Sequence, residues 1–326
     1  MNVKMNRAGK SAILGAVFLI AFLIIGMVGD ETLINISSRI IIMALYAESF
    51  NLMFGYTGMT SIGHALYFGF GGYSFMIFMT KLNMGILPAA LCSCLLVIPV
   101  ALLLGTAALK NSMLTFSFLT MGLCTTVQLV IYKTKSIGGT VGITHYFLPD
   151  WLNNFRTLYF FIFAIVVACI VIIYLICISP YAQMLQGVRE NDQRLTFLGV
   201  NVTKMRVSAF VIAALFANIA GILYTFRNAG VYTTSLDGAI SMQAIMMAIV
   251  GGSSSFFGPI LGSVIITVLQ NFLSLKTQYF EFVIGIVILL TAYFMQGGIM
   301  GREGIVQKGI AAIRRKQAAK KEAEKE

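Results

Sequence analysis

One long polar run, residues 179–206, lies between two hydrophobic segments and carries side chains that could bind another protein. Its six charged residues are Arg189, Glu190, Asp192, Arg194, Lys204 and Arg206. A charge at the centre of a bilayer costs about 3 kcal/mol on insertion scales. The run must therefore lie outside the hydrocarbon, where its charges are free to form ion pairs and hydrogen bonds.

The polar run also contains the signals of a short helix. Pro180 should close the preceding apolar helix, because proline cannot donate a backbone hydrogen bond. Asn191 or Asp192 can cap a new helix, and Gly199 can end it in the left-handed conformation. About two turns lie between these caps. The run is either a docking helix on the surface of a membrane protein or a solvated connector between two spans.

Enzymatic and cofactor chemistry has little support in the sequence. The chain lacks GxxxxGK[ST], HExxH and GxSxG motifs, so neither a phosphate-binding loop nor these catalytic sites are present. Its two histidines and five cysteines do not form metal-ligand or disulfide patterns. We expect no cofactor and no metal in this chain. Any energy from ATP must come from another subunit.

The composition is that of a polytopic membrane protein: 58% of the 326 residues are hydrophobic, 11% are charged, and mean hydropathy is +0.88. Apolar segments near 20 residues in length recur along the chain. The ten predicted spans are 11–28, 33–54, 60–80, 86–109, 112–131, 158–178, 207–226, 239–255, 258–273 and 280–295. Polar residues within them are sparse and form no acidic relay, which argues against a proton-driven carrier.

Basic residues orient these spans. With ten spans, 16 of the 23 basic residues fall on the side that holds both termini and the polar run. By the positive-inside rule this side is cytoplasmic, and the net charge of +11 reflects this asymmetry rather than nucleic-acid binding. The basic tail, residues 302–326, either lies on anionic lipid or forms a solvated helix.

Two glycine-rich segments, residues 55–75 and 249–263, follow an apolar helix in each half of the chain. They suggest an internal duplication of residues 33–131 and 207–295. Interrupted segments at matching places are typical of a transporter pathway, although close helix packing would use the same glycines. The candidate pathway residues are Asn51, Gly58, Gly63, His64, Gly71, Gly251, Gly252 and Gly258.

Four stretches in this order resemble one family. They are GYTGMTSIGHALYFGFGGYS (residues 55–74), SIGGTVGIT (136–144), the polar run with the helix after it, and AIVGGSSSFFGPILGSVI (248–265). Together they closely resemble the membrane subunit of branched-chain amino-acid ABC importers, a family with relatives for urea and short amides. The resemblance covers about residues 37–301. Glu48 departs from it, because we would expect a small or apolar residue there.

The resemblance implies a fold and a set of partners. The expected fold is all-α, with about ten transmembrane helices in two repeated halves, one permease domain over residues 1–301 and a cytoplasmic coupling helix. The expected partners are a sister permease, two ATPases, an external solute-binding protein and membrane lipid, in a bacterial inner membrane. The residues that match the ATPase-coupling loop are Arg189, Glu190, Asn191, Asp192, Arg194, Leu198, Gly199 and Asn201.

Two functions outside this reading compete with it. A self-sufficient secondary carrier would need ionisable residues through the spans, and a membrane-embedded enzyme would need clustered polar side chains. Within the importer family, a permease for urea or a short amide is the alternative to one for branched-chain amino acids. Urea or an amide would need more hydrogen-bond partners than the apolar surroundings of His64 offer.

Overall fold

The computed structural model describes residues 15, 17–109, 112–144, 152, 154–253, 255–294 and 297–300. This part of the chain is mostly α-helical, because backbone groups in hydrocarbon must be satisfied within the segment itself. Its helices are α1 (Val17–Val28), α2 (Glu31–Thr57), α3 (Ala65–Lys81), α4 (Ile86–Ala108), α5 (Met113–Lys133), α6 (Phe155–Ile178), α7 (Pro180–Glu190), α8 (Asp192–Phe197), α9 (Val202–Asn228), α10 (Gly238–Gly251), α11 (Phe257–Ser274) and α12 (Phe280–Phe294). The all-α polytopic membrane fold is confirmed.

Every predicted span contains one of these helices, but the helices differ in length. Six of them, α2, α4, α5, α6, α9 and α11, are long and apolar enough to cross a membrane. The 14 residues of α10 extend only about 21 Å at 1.5 Å per residue, against a hydrocarbon core of about 30 Å. The 17-residue α3 is also short.

The two 27-residue helices, α2 and α9, form the centre of the molecule and run antiparallel. Arg227 near the end of α9 donates from Nε to the carbonyl of Asn35 near the start of α2, at 3.3 Å. Helices α3 and α4 pack on α9, whereas α6 and α11 pack on α2. Helix α5 lies at the edge, against a 3-10 turn at Thr233–Leu236.

Helix α3 begins inside the protein, after a non-helical segment at residues 58–64. Gly58, at φ 76°, ends α2 in the left-handed conformation. The chain then turns back, so that His64 reaches Ser49, which lies eight residues before the end of α2. The predicted span at 60–80 is therefore a returning segment followed by a short helix.

Helix α10 begins in a similar way, after a segment at residues 229–237 that contains no α-helix, only the 3-10 turn at Thr233–Leu236. The glycine pattern did not predict this interruption; it paired residues 55–75 with residues 249–263 instead. In the structure, residues 249–263 include the last residues of α10, the turn after it and the first residues of α11. The order after α2 (short α3, then α4 and α5) parallels the order after α9 (short α10, then α11 and α12), with the two leading helices antiparallel. This arrangement is that of an inverted repeat.

Candidate functional sites: the α7–α8 surface and the midplane junction

The polar run folds into two helices, α7 and α8, where the sequence predicted one. Pro180 does end α6, but it is also the first residue of α7, a position that suits proline because its missing N–H is not needed there. Ala182, Leu185 and Val188 are the buried residues of α7, which packs against α2, α6 and α9. Apolar burial on one face thus fixes α7 to the body of the protein.

Helix α8 follows the predicted capping pattern. The Asn191 side chain accepts a hydrogen bond from the Arg194 backbone N–H at 3.0 Å, and Gly199 follows the helix with φ 81°. Asn201 then caps α9 by accepting from the Lys204 backbone N–H at 3.0 Å. One asparagine cap on each side of Gly199 therefore holds α8 between α7 and α9.

The tip of α8 exposes two large apolar side chains. Phe197 is 90% exposed and Leu198 is 73% exposed, beside the exposed Arg194. Two adjacent apolar side chains with a nearby arginine are typical of the anchors of a protein interface. Leu198 was among the predicted coupling residues, but Phe197 was not. The sequence does contain a signal for it, because two adjacent apolar residues within a polar run indicate a contact surface.

Arg189 connects the α7–α8 surface to the transmembrane helices. Its Nη1 donates to the carbonyl of Gly55 in the last turn of α2, and its side chain faces Gly58. An open cleft of about 340 Å³ lies here, and its lining includes Thr57, Glu190 and Gln193. Displacement of α7 would therefore act directly on the last turn of α2.

Two further contacts hold this surface in place. Asp192 accepts a hydrogen bond from Arg206 within an ion pair, so α8 is tied to the start of α9. The Tyr181 hydroxyl lies 2.6 Å from Ser208 Oγ and ties α7 to the same helix. Burial raises the pKa of Tyr181 above its usual value, and the hydrogen bond with Ser208 opposes this rise only in part. Arg206 was not among the predicted coupling residues.

The starts of α3 and α10 meet deep in the protein. The Ala65 backbone N–H, at the start of α3, donates to Ser241 Oγ in the first turns of α10 at 2.8 Å. His64, the residue before α3, lies 3.0 Å from Ser49 Oγ through Nε2 and stacks on Tyr46. We call this meeting of the two helix N-termini the midplane junction. His64 is completely buried here.

Glu48 and Asn51 lie on a different face of α2. Asn51 Nδ2 donates to Glu48 Oε1 at 3.3 Å, and both side chains are fully buried. Glu48 Oε2 and Asn51 Oδ1 make no hydrogen bond within the described residues. Glu48 lies near Tyr56 and Cys177, on the α6 side of α2. The departure from the family pattern is thus an interior residue of the subunit.

The candidate pathway glycines lie at close contacts between backbones. A methyl group at Gly63 would collide with the Thr120 carbonyl, and one at Gly71 with the Asn218 carbonyl. A methyl group at Gly251 would collide with Gly258, and one at Gly258 with Gly252. Gly252 has φ 105° at the end of α10. These glycines bring α3, α5, α9, α10 and α11 close together.

The structure brings the predicted coupling residues together but distributes the predicted pathway residues over three places. The coupling residues share one surface, which reaches Gly58 through Arg189. Gly63 and His64 lie at the midplane junction, Asn51 faces the opposite side of α2, and Gly251, Gly252 and Gly258 surround the α10–α11 turn. That turn is adjacent to the end of α2, because the Ser253 carbonyl lies against Gly55.

Comparison with known proteins gives a consistent set of matches. Residues 32–292 match the family described as "Branched-chain amino acid transport system / permease component". The permease protein LivM of a high-affinity branched-chain amino acid transport system from Salmonella typhimurium is 22% identical over 315 residues, covering 87% of this chain and 74% of the relative. A probable LivM from Methanocaldococcus jannaschii is 24% identical, covering 79% and 90%.

The permease protein LivH from Escherichia coli is 26% identical over 281 residues, covering 79% of this chain and 91% of the relative. No solved structure matches the chain. The family match covers most of the ten apolar helices and both candidate sites. This chain therefore belongs to the family of branched-chain amino acid transport permeases.

Proposed function

We propose that this multi-pass protein is the permease subunit of an ATP-binding-cassette importer for branched-chain amino acids in a bacterial inner membrane. The observation that supports the proposal most directly is the family match over residues 32–292. The relatives are described as permease proteins of branched-chain amino acid transport systems. In this proposal the chain forms the pathway, and two separate ATPase subunits hydrolyse ATP.

The α7–α8 surface is the proposed ATPase-docking site. It presents Phe197, Leu198 and Arg194 outward, while α7 is anchored by its buried face. Apolar side chains enter a groove of the ATPase, and the arginine meets an acidic wall. Arg189 then passes displacement of the docked helix to the Gly55 carbonyl and the end of α2.

The pathway is proposed to run beside the short helices α3 and α10, between this subunit and a sister permease. The candidate residues Gly63, Gly71 and Gly251 allow the neighbouring helices to approach closely enough to hold these interrupted helices. An external binding protein delivers the solute, so weak contacts along the pathway are sufficient. Leucine, isoleucine and valine suit its apolar surroundings.

The test is transport by a reconstituted complex. The chain is expressed with its neighbouring permease, ATPases and binding protein, and uptake of labelled leucine into vesicles is measured with ATP inside. We expect uptake that depends on both ATP and the binding protein. Labelled urea is the comparison solute. Uptake of urea without leucine would contradict the substrate, and uptake without the ATPases would favour a secondary carrier.

A further inference from the structure

Asp237 is an exposed acidic residue at the midplane junction. It is the residue before α10, and its Oδ1 accepts a hydrogen bond from the Ala239 backbone N–H at 3.3 Å. His64 holds the equivalent place before α3, but it is fully buried. Of these two residues, only Asp237 is exposed at the surface of the subunit.

The depth of Asp237 follows from its neighbours on α5. Cys124 Sγ donates to the carbonyl of Leu236 at 3.1 Å. Cys124 is eleven residues from the first residue of α5, which corresponds to about 16 Å along a helix that is itself about 31 Å long. Asp237 thus lies close to the middle of the membrane.

A carboxylate at this depth cannot face lipid. Charged residues in the hydrocarbon region face a protein partner or a water-filled cavity, and non-helical backbone at this depth obeys the same restriction. Thr234 and Asp237 both expose side chains from the segment that precedes α10. This face must therefore border either the sister subunit or an aqueous passage.

Open space beside the carboxylate favours the passage. A methyl group at Gly238 would meet no atom within 4 Å, so the volume next to the Asp237 carboxylate is open within this chain. Behind it, Tyr46 is fully buried, and Ser241 of α10 and Cys124 of α5 lie near its hydroxyl.

We propose that Asp237 binds the ammonium group of the amino acid as it passes the midplane. This inference rests on the proposed function and deepens it by naming a residue and the charged group that it recognises. An ammonium group donates three hydrogen bonds to carboxylates or other acceptors, and pairing with a carboxylate is strongest where water is partly excluded. The apolar side chain of the solute needs no polar partner along the route.

The variant Asp237→Asn tests the charge without removing the helix cap, because asparagine caps helices as well as aspartate does. In vesicles that contain the complete complex, we expect a loss of leucine uptake of at least about tenfold and partial recovery with Asp237→Glu. Asp30→Asn is the matched control, because Asp30 is an exposed acidic residue before α2. It should transport leucine normally.

A second measurement separates this inference from the proposed function. In the complete complex, Asp237→Cys should react with a water-soluble thiol reagent above the background of the unchanged chain, and leucine-loaded binding protein should change the rate. Normal leucine uptake by Asp237→Asn would overturn this inference and leave the proposed function intact. Loss of the sister permease from the Asp237→Asn complex would also overturn it, because Asp237 would then form an ion pair between the subunits. Absence of leucine uptake by the unchanged chain would overturn both the substrate and the ammonium ligand.

Discussion

At the scale of single residues, glycine has two separate functions in this permease. At Gly58 and Gly199 it supplies a left-handed backbone that ends a helix. At Gly71 it removes a side chain where α3 meets the Asn218 carbonyl of α9. The sequence could show that the glycines cluster, but spacing alone cannot separate a seam between helices from the wall of a passage.

The contact at Gly71 predicts that replacing a helical glycine by alanine destabilises the protein at this position and not at an open one. Alanine is favoured over glycine inside helices by about 1 kcal/mol, but a methyl group at Gly71 would force α3 away from α9, at about 1–3 kcal/mol. We therefore expect Gly71→Ala to lower the melting temperature of the purified chain in detergent by several degrees. Gly122→Ala is the control, because its methyl group meets no atom within 4 Å, and it should leave the melting temperature unchanged or higher. An equal change of the melting temperature in both variants would contradict the close contact between α3 and α9 at Gly71.

At the scale of elements, local signals predicted α8 but not α7. Asn191 and Gly199 lie at the two ends of α8, where capping rules place them. Pro180 was interpreted only as a stop, since its ring cannot continue a helix, although the same residue is favoured at the first position of the next one. The exposure of Phe197 depends on how α7 packs, which is a tertiary property that the local sequence does not contain.

The interruption before α10 was missed for a related reason. It contains no glycine cluster, and its signal was the run of Thr233, Thr234, Ser235 and Asp237 directly before an apolar helix. Side chains of these types cap helices and form turns. Its depth follows from two distant contacts: Cys124 of α5 donates to the Leu236 carbonyl, and the Ala65 backbone N–H donates to Ser241 at the start of α10. Contacts across more than 100 residues are not visible in a local pattern.

The end of α8 supports a prediction about docking. Gly199 has φ 81° and open space around it, so backbone conformation rather than room limits this position. Valine resists a positive φ, whereas asparagine tolerates it. We expect Gly199→Val to reduce the ATPase recovered with the permease several-fold, and Gly199→Asn to retain it. Equal recovery of the ATPases with both variants would show that the shape of α8 does not determine docking.

At the scale of the whole molecule, the inverted order of elements connects the two sites. Arg189 contacts α2 at Gly55, and the chain after α2 turns back so that His64 lies against Ser49. Helix α9 starts beside α8 and ends near the start of α2. In the proposed function, a displacement of α7 and α8 would therefore reach both central helices, and through them the junction of α3 with α10. Such a two-sided connection suits alternating access.

This arrangement requires the α7–α8 surface and the connection between α5 and α6 to lie on opposite sides of the membrane. Single cysteines at Gln193 and at Thr140, both exposed, test it in intact cells with an impermeant thiol reagent. The excess of basic residues on the side of the polar run predicts that this side is cytoplasmic. We therefore expect Thr140→Cys to be labelled from outside, and Gln193→Cys to be labelled only after the membrane is made permeable. The unchanged chain gives the background, because its five cysteines are buried or partly buried. Labelling of Gln193→Cys in sealed cells would reverse the orientation and remove the proposed ATPase-docking surface from the cytoplasm.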